Sequence, residues 1–214
     1  DNGFVGMVDR DVFDEWLRER AHSHGAQRVK AIFEKITRDD DGVARVHFTQ
    51  QQGNQEATLQ SVRAKMIIGA DGAKSEVARQ TIAGYEKTKY VFAYHEIIKT
   101  PSNAPNSFDA SRCDVLYQKP VSPDFYGWVF PHGDTISVGT GSADKGFSLR
   151  NAVAKLRADI GLEGAELIRH EGAPLPMKPL KKWDDGQQVV LAGDAAGVVA
   201  PASGEGIYYA MLGG

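Results

Sequence analysis

Residues 189–214, VVLAGDAAGVVAPASGEGIYYAMLGG, set one carboxylate among many glycines where a short apolar run ends and a helical pattern begins. Asp194 follows Gly193 at what reads as the carboxyl end of a strand, where α/β sheets bind ligands. Ser203, Gly204, Glu205 and Gly206 then open the helical pattern. Glycines there carry no Cβ, so a flat ligand or a phosphate can approach backbone N–H groups that the helix dipole makes electropositive. The Asp194 carboxylate is suited to accept hydrogen bonds from ribose-type hydroxyls. These are the parts of a site for an anionic cofactor, although the same glycines also fit a strand, turn and helix held by packing alone. GADGAKSEVAR at 69–79 repeats the order of apolar strand, glycine turn with an aspartate, and helix, through Gly69, Asp71 and Gly72.

A third stretch, VSPDFYGWVFPHGDTISVGTG at 121–141, alternates Tyr126, Trp128 and Phe130 ahead of Pro131. Alternate strand positions share one face, so the three rings form either an aromatic wall suited to an apolar chain or an ordinary sheet core. Other chemistry-bearing residues carry less. His22 and His24 split across an expected helix end and read as a surface pair. The run 39–41 is all aspartate but lacks the alternation and distal glutamate of a calcium loop, so it reads as a solvated turn. Cys113 is the only cysteine, which excludes an intrachain disulfide and a thiolate metal cluster and suggests a buried, inert thiol. There is no GxSxG elbow and no cysteine–histidine pair suited to nucleophilic catalysis.

The elements that must position these residues follow from periodicity. Val12, Phe13, Trp16, Leu17 and Ala21 recur at helical spacing from Asp9, a plausible N-cap, with Asp14 and Arg18 placed to pair. Strands are expected at 28–37, 43–50 and 56–62, turned at Asp41–Gly42 and Gly53–Asn54, and a compact apolar strand at 65–70 runs into a helix within 73–80. The middle of the chain changes character. Strands are expected at 90–99, 115–119, 127–130 and 135–140, a polar loop at 101–105, and a helix at 149–160 with Ser148 before it and Gly161 after it. At 188–192 the compact apolar strand pattern returns. The order predicts a nucleotide-type α/β domain interrupted by a β-rich insert.

With 214 residues, 42% of them hydrophobic, the chain can bury a real core. A formal charge of −3, with scattered basic residues, gives no reason to expect nucleic acid as a partner. No apolar run approaches the roughly 18–20 residues that span a bilayer, so any membrane contact is expected to be peripheral. No targeting signal is visible after Asp1; the missing start methionine, and an end inside an expected helix, are read as the marks of an excerpt.

GDAAG followed by proline and GEG resembles the second flavin motif of the FAD-dependent family typified by p-hydroxybenzoate hydroxylase, and GADGAKSEVAR resembles its Asp-Gly motif. The resemblance implies an α/β fold: a partial, discontinuous FAD-binding Rossmann-like domain (1–82 and 175–214) with an inserted β-rich α+β substrate domain (83–174). It implies flavin contacts from Gly193, Asp194, Pro201, Gly204, Gly206 and Ile207, with the helix N-terminus stabilising negative charge on the reduced flavin. Gly69, Asp71 and Gly72 are implied in binding flavin and nicotinamide cofactor. Arg10 resembles the family's arginine that reaches the flavin; a plain surface arginine is the other reading. The chain departs from the aromatic hydroxylases at Gly197, where they usually carry histidine, at Ile207, Tyr208 and Tyr209, where asparagine is usual, and at Ala78, where many carry arginine.

Tyr126, Trp128, Phe130 and Pro131, with Val138 and Gly139 downstream, look like the substrate-domain signature of geranylgeranyl reductases. GMVDRDVFDEWL, SPDFYGWVFP and SGEGIYYAM are similar to the geranylgeranyl reductases of chlorophyll and bacteriochlorophyll biosynthesis. The resemblance implies an enzyme in which NADPH reduces FAD and the flavin saturates double bonds of a geranylgeranyl chain to give phytyl. The substrate would be geranylgeranyl diphosphate or geranylgeranylated (bacterio)chlorophyll, and the place the cytoplasm or the surface of the photosynthetic membrane. No metal is expected. Tyr126, Tyr208, Tyr209 and His132 are candidate proton donors by residue type, and the sequence does not choose among them. The alternatives are a monooxygenase or halogenase of the same fold, an archaeal-type lipid reductase, and a non-catalytic piece, since the family's GxGxxG strand is not in these residues.

Overall fold

Local periodicity predicts the elements well, and a computed structural model, which describes residues 6–51, 53, 56–103, 105 and 108–214, places them in two units, 1–64 and 65–214. In the first unit, α1 (Arg10–Ser23) precedes a three-stranded antiparallel sheet of β1 (Ile32–Arg38), β2 (Ala44–Gln50) and β3 (Thr58–Ala64) in sequential order. Asp9 stands at the N-cap without a side-chain capping bond. The expected Asp14–Arg18 pair does not form. Both carboxylate oxygens of Asp14 are taken by Arg10, at 2.8 Å each, and Arg18 turns to Glu15 at 3.3 Å. A two-point guanidinium fork outcompetes a single contact at the same spacing. The apolar stripe of α1 stays open, with Val12 67% and Trp16 53% exposed.

The Asp41–Gly42 turn forms as expected, with Gly42 at φ +80°. The acidic run there is answered by arginines from the sheet: Arg45 and Arg63 reach Asp39 at 2.7 and 3.0 Å, and Arg63 also pairs with Asp41. The expected turn at Gly53–Asn54 includes positions outside the described residues, as does the loop at 101–105.

In the second unit, β4 (Ile67–Gly69) and β10 (Val189–Leu191) pair in parallel, although most of the unit's chain lies between them. This is the interrupted α/β order that the two similar apolar runs predict. Gly69 is where α2 (Glu76–Thr81) closes on the pair: a Cβ there would lie 2.7 Å from a Leu191 methyl and 2.8 Å from a Val77 methyl. Replacing Gly69 by alanine is expected to destabilise the protein by about 1–3 kcal/mol, because overpacking forces both strands and helix to shift. A lowered urea midpoint checks this, and an unchanged midpoint would show that the contact yields freely.

Between these strands lies a five-stranded antiparallel sheet in the order β6-β7-β8-β5-β9. Its strands are β5 (Tyr90–Lys99), β6 (Asp114–Leu116), β7 (Gly127–His132), β8 (Thr135–Ser142) and β9 (Leu167–Pro176). Helix α3 (Leu149–Asp159) packs on one face, where Ile98, Val129, Ile136 and Val138 of the sheet meet Val153 and Leu156 of the helix. Ser148 caps α3 by accepting from the Asn151 N–H at 3.4 Å. Two side chains buried in this interface are charged. Arg157 of α3 donates to Glu96 of β5 at 2.6 Å, with side chains 11% and 10% exposed.

Two expectations need correction. Strand β9 lies along the whole of β5, from Tyr90 opposite Pro176 to Ile98 opposite Leu167, where the sequence pattern predicts none. Its glycine and two prolines mask the alternation, yet an edge strand tolerates proline because one side of its backbone pairs with nothing. Cys113 is exposed, not buried, because it precedes β6, the short strand at the opposite edge. Among the described residues no helix is long and apolar enough to cross a membrane.

Candidate functional site

Parallel pairing of β4 with β10 brings the two aspartate turns side by side. The Ala192 N–H donates to Gly69 O at 2.9 Å just beyond the last paired residues. Their carboxylates have different roles. Asp71 is committed to its own helix: one oxygen accepts from the Ser75 hydroxyl at 2.5 Å, and the other from the Glu76 and Val77 N–H groups at 2.8 and 3.1 Å. A carboxylate there satisfies orphan N–H groups and suits the helix dipole. Asp71 therefore shapes the loop, and Gly72, at φ +83°, lets it turn. Tyr85 and Tyr90 anchor the loop by donating to Ala73 O at 3.1 and 3.0 Å. Burial pushes the Tyr85 hydroxyl well above its ordinary pKa, so it remains a donor.

Asp194 sits in a 3₁₀ turn (Gly193–Ala196) at the carboxyl end of β10, against the amino end of α4 (Ile207–Gly213). A Cβ on Gly206 would come 2.9 Å from its Oδ1 atom. Gly193, at φ +58°, faces Ala210 of α4, whose Cβ would lie 3.2 Å from a Cβ added at the glycine. Gly193, Asp194 and Gly206 are thus drawn into one group, and Ile207 follows as the first residue of α4. Pro201 is exposed in the turn before it, and Gly204 meets Phe125 and Leu175. Glu205 caps α4 by accepting from the Tyr208 N–H at 2.8 Å, so one of the N–H groups expected to face a reduced flavin is already engaged.

Two departures from the hydroxylase pattern, at Gly197 and Ala78, meet close packing. Gly197 lies under residues 178–179, and a Cβ there would be 2.6 Å from Lys178 O; no histidine side chain can leave that position in this arrangement. Ala78 is fully buried, while Arg79 next to it pairs on the surface with Glu76. Arg10 belongs to the first unit, where it is held by Asp14.

On the face of the five-stranded sheet opposite α3, Tyr126, Trp128 and Phe130 form a continuous row, with ring centroids 5.9 Å and then 6.3 Å apart. Pro131 falls on the α3 side, with Val129, and does not join it. Glycines opposite the row give it room: a Cβ at Gly139 would be 2.2 Å from the Trp128 ring, and one at Gly141 2.9 Å from Phe125. The row reaches the glycine loop directly. The Tyr126 hydroxyl donates to Ser203 O, and Phe125, stacked on Tyr126 at 4.3 Å, lies against Gly204. Burial, then the nearby Tyr117, raises the pKa of the Tyr126 hydroxyl and keeps it a donor in this bond.

Sequence reasoning misses a polar group on the same face. Trp128 Nε1 donates to Ser137 Oγ at 3.0 Å, His95 Nδ1 lies 2.9 Å from the same oxygen, and His95 Nε2 lies 3.3 Å from Glu171 Oε2. No local signal announces it, because the histidine and glutamate are 76 residues apart and one of their strands, β9, is hidden in the sequence. Of the proton donors named by residue type, Tyr126 is committed to Ser203, and Tyr208 and Tyr209 lie 59% and 39% exposed on α4. Among the described residues no cluster suited to a metal ion occurs.

The profile of the FAD binding domain family matches residues 4–212. The chain is 51% identical over 214 residues to a geranylgeranyl diphosphate reductase of Rhodobacter capsulatus, covering 100% of this chain and 53% of that protein. It is 38% identical over 219 residues to a chloroplastic geranylgeranyl diphosphate reductase of Oryza sativa, covering 99% of this chain and 46% of the relative. Among solved structures, a geranylgeranyl bacteriochlorophyll reductase-like protein from Thermoplasma acidophilum superposes with a TM-score of 0.81 at 25% identity, covering 99% of this chain and 54% of that one. The chain thus spans about half the length of the curated relatives it matches.

Proposed function

Because the chain belongs to the FAD binding domain family, we propose that the protein carrying it is an NADPH-dependent flavoprotein reductase that saturates the double bonds of a geranylgeranyl chain to give phytyl. The observation that supports this most directly is the continuous path from the glycine loop through Tyr126 into the aromatic row. An isoprenoid chain offers dispersion and apolar area but almost no hydrogen bonds, which is what such a row can hold. Names borne by the relatives point the same way.

In this reading 83–174 bind the chain and the flanking segments hold the cofactor. The residues present fit FAD: a carboxylate at the carboxyl end of a parallel strand, beside a glycine that leaves no Cβ in the way. Asp194 would bind the ribityl chain, and Gly193, Pro201, Gly204, Gly206 and Ile207 would let the ring approach. Gly69, Asp71 and Gly72 keep the adjoining loop in shape. When bound, FAD supplies the hydride chemistry, with NADPH as the source of electrons. Tyr126 fixes the loop at Ser203, and Trp128 and Phe130 exclude water from the chain. The substrate in this reading is geranylgeranyl diphosphate or the geranylgeranylated (bacterio)chlorophyll, and its lipid character suits a protein working in the cytoplasm or at the surface of the photosynthetic membrane.

The full-length protein given NADPH and either substrate without oxygen is expected to add two mass units per step to the prenyl chain. Unchanged masses with both would overturn the reading, and gain only with an archaeal-type digeranylgeranyl lipid would reassign the substrate. The packing over Gly197 counts against the hydroxylase alternative.

A further inference from the structure

The polar group on the sheet has an internal direction. Trp128, Gly139, His95 and Glu171 stand opposite one another on β7, β8, β5 and β9. Gly139 lets this row close, since a Cβ there would lie 2.2 Å from the Trp128 ring and 2.6 Å from the His95 Cβ. An indole N–H only donates, so Ser137 accepts from Trp128 and has one proton of its own to give. With His95 neutral and its proton on Nε2, toward Glu171, the Ser137 hydroxyl donates to Nδ1. When His95 takes up a second proton, Nδ1 becomes a donor. Ser137 then accepts two N–H bonds, and its own proton turns away from His95.

Glu171 faces the Nε2 side of the ring, its side chain being 54% exposed against 26% for His95. Burial works against its charged form, but donation from Arg169, at 2.7 Å, and from His95 outweighs that and holds the carboxyl below its ordinary pKa. By register, the charged groups on this face are Glu171 and Arg169 from β9 and Lys99 from β5; β8 presents Thr135 and Ser137, and β7 Trp128, Phe130 and His132.

Resting on the reductase reading, we propose that Ser137, supplied by His95 with Glu171 holding the Nε2 side of the ring, is the proton source for the double bond that is reduced. The Ser137 hydroxyl gives its proton to one alkene carbon while the Nδ1 proton of His95 passes to Ser137 Oγ. The π bond breaks, and the neighbouring carbon takes the hydride supplied by the reduced cofactor. His95, left neutral with its proton on Nε2, takes a new proton on Nδ1 from water once the product has left. One proton and one hydride make the two new C–H bonds. Positive charge developing on the alkene faces the π clouds of Trp128 and Phe130, so the row stabilises the charge that protonation creates.

The test uses the full-length holoenzyme with geranylgeranyl diphosphate as probe, in anaerobic stopped flow that times flavin reduction by NADPH and flavin reoxidation by the prenyl chain separately. In Ser137→Ala and His95→Gln, reoxidation is expected to fall by about 100-fold relative to reduction in the same variant, the size of a lost general acid. Ser137→Thr, which keeps a hydroxyl, restores it. A readout independent of turnover is the ¹⁵N spectrum of histidine-labelled, flavin-free protein, in which neutral His95 is expected to carry its proton on Nε2. Undiminished reoxidation in both variants, or a proton resting on Nδ1 of neutral His95, overturns the relay alone. Wild-type protein that leaves the probe and the geranylgeranylated pigment unchanged overturns the reductase reading, and the proton source with it.

Discussion

Replacing Arg157 by alanine is expected to destabilise the protein by about 3–5 kcal/mol, because it leaves the Glu96 carboxylate buried without its counter-ion. Among the described residues Glu96 would keep the Tyr94 hydroxyl, at 3.0 Å. Arg157 also donates to the carbonyls of Leu162, Glu163 and Ala165 at 3.2, 3.2 and 2.7 Å, so the turn after α3 would lose its anchor. Replacing both Glu96 and Arg157 by methionine is expected to cost far less, since no buried charge is left behind. Urea midpoints for the single and double variants check this. A single variant within about 0.5 kcal/mol of wild type, the range usual for surface substitutions, would show that water replaces the guanidinium.

Replacing Asp194 by alanine is expected to strip the full-length protein of most of its flavin. Hydrogen bonds to a charged group are worth about 1.5–3 kcal/mol, which corresponds to roughly 10- to 100-fold weaker retention. The ratio of flavin to protein absorbance after gel filtration reads this directly. Asp194→Asn, which keeps one carbonyl acceptor, should fall between the two. Because Asp194 also lies beside Gly206, the thermal midpoint of the flavin-free proteins separates lost binding from a disturbed loop. Wild-type flavin content in the alanine variant would remove Asp194 from the cofactor site.

Much of the architecture is written locally. Leu149, Val153 and Leu156 recur at helical spacing behind Ser148, and the helix forms there with that cap. The matching apolar runs near 66–70 and 188–192 become parallel neighbours. The alternation at 126, 128 and 130 becomes a single aromatic row. Where local signals compete, the sequence reading fails. Arg10, not Arg18, takes Asp14. Gly172, Pro174 and Pro176 conceal β9, and an isolated cysteine outside any periodic pattern says nothing of its exposure.

Short-range patterns thus carry most of the helices and strands, β9 excepted, together with the family resemblance and the glycine turns at 69–72 and 193–206, since each depends on neighbours within a few positions. The different surroundings of the two aspartates emerge from the assembled fold. Asp71 spends its carboxylate on α2, and Asp194 lies against the glycine end of α4. It also decided that Trp128, Ser137, His95 and Glu171 meet. That row exists because four strands pair in one register, and register follows from the packing of the whole sheet, which no short stretch of chain records.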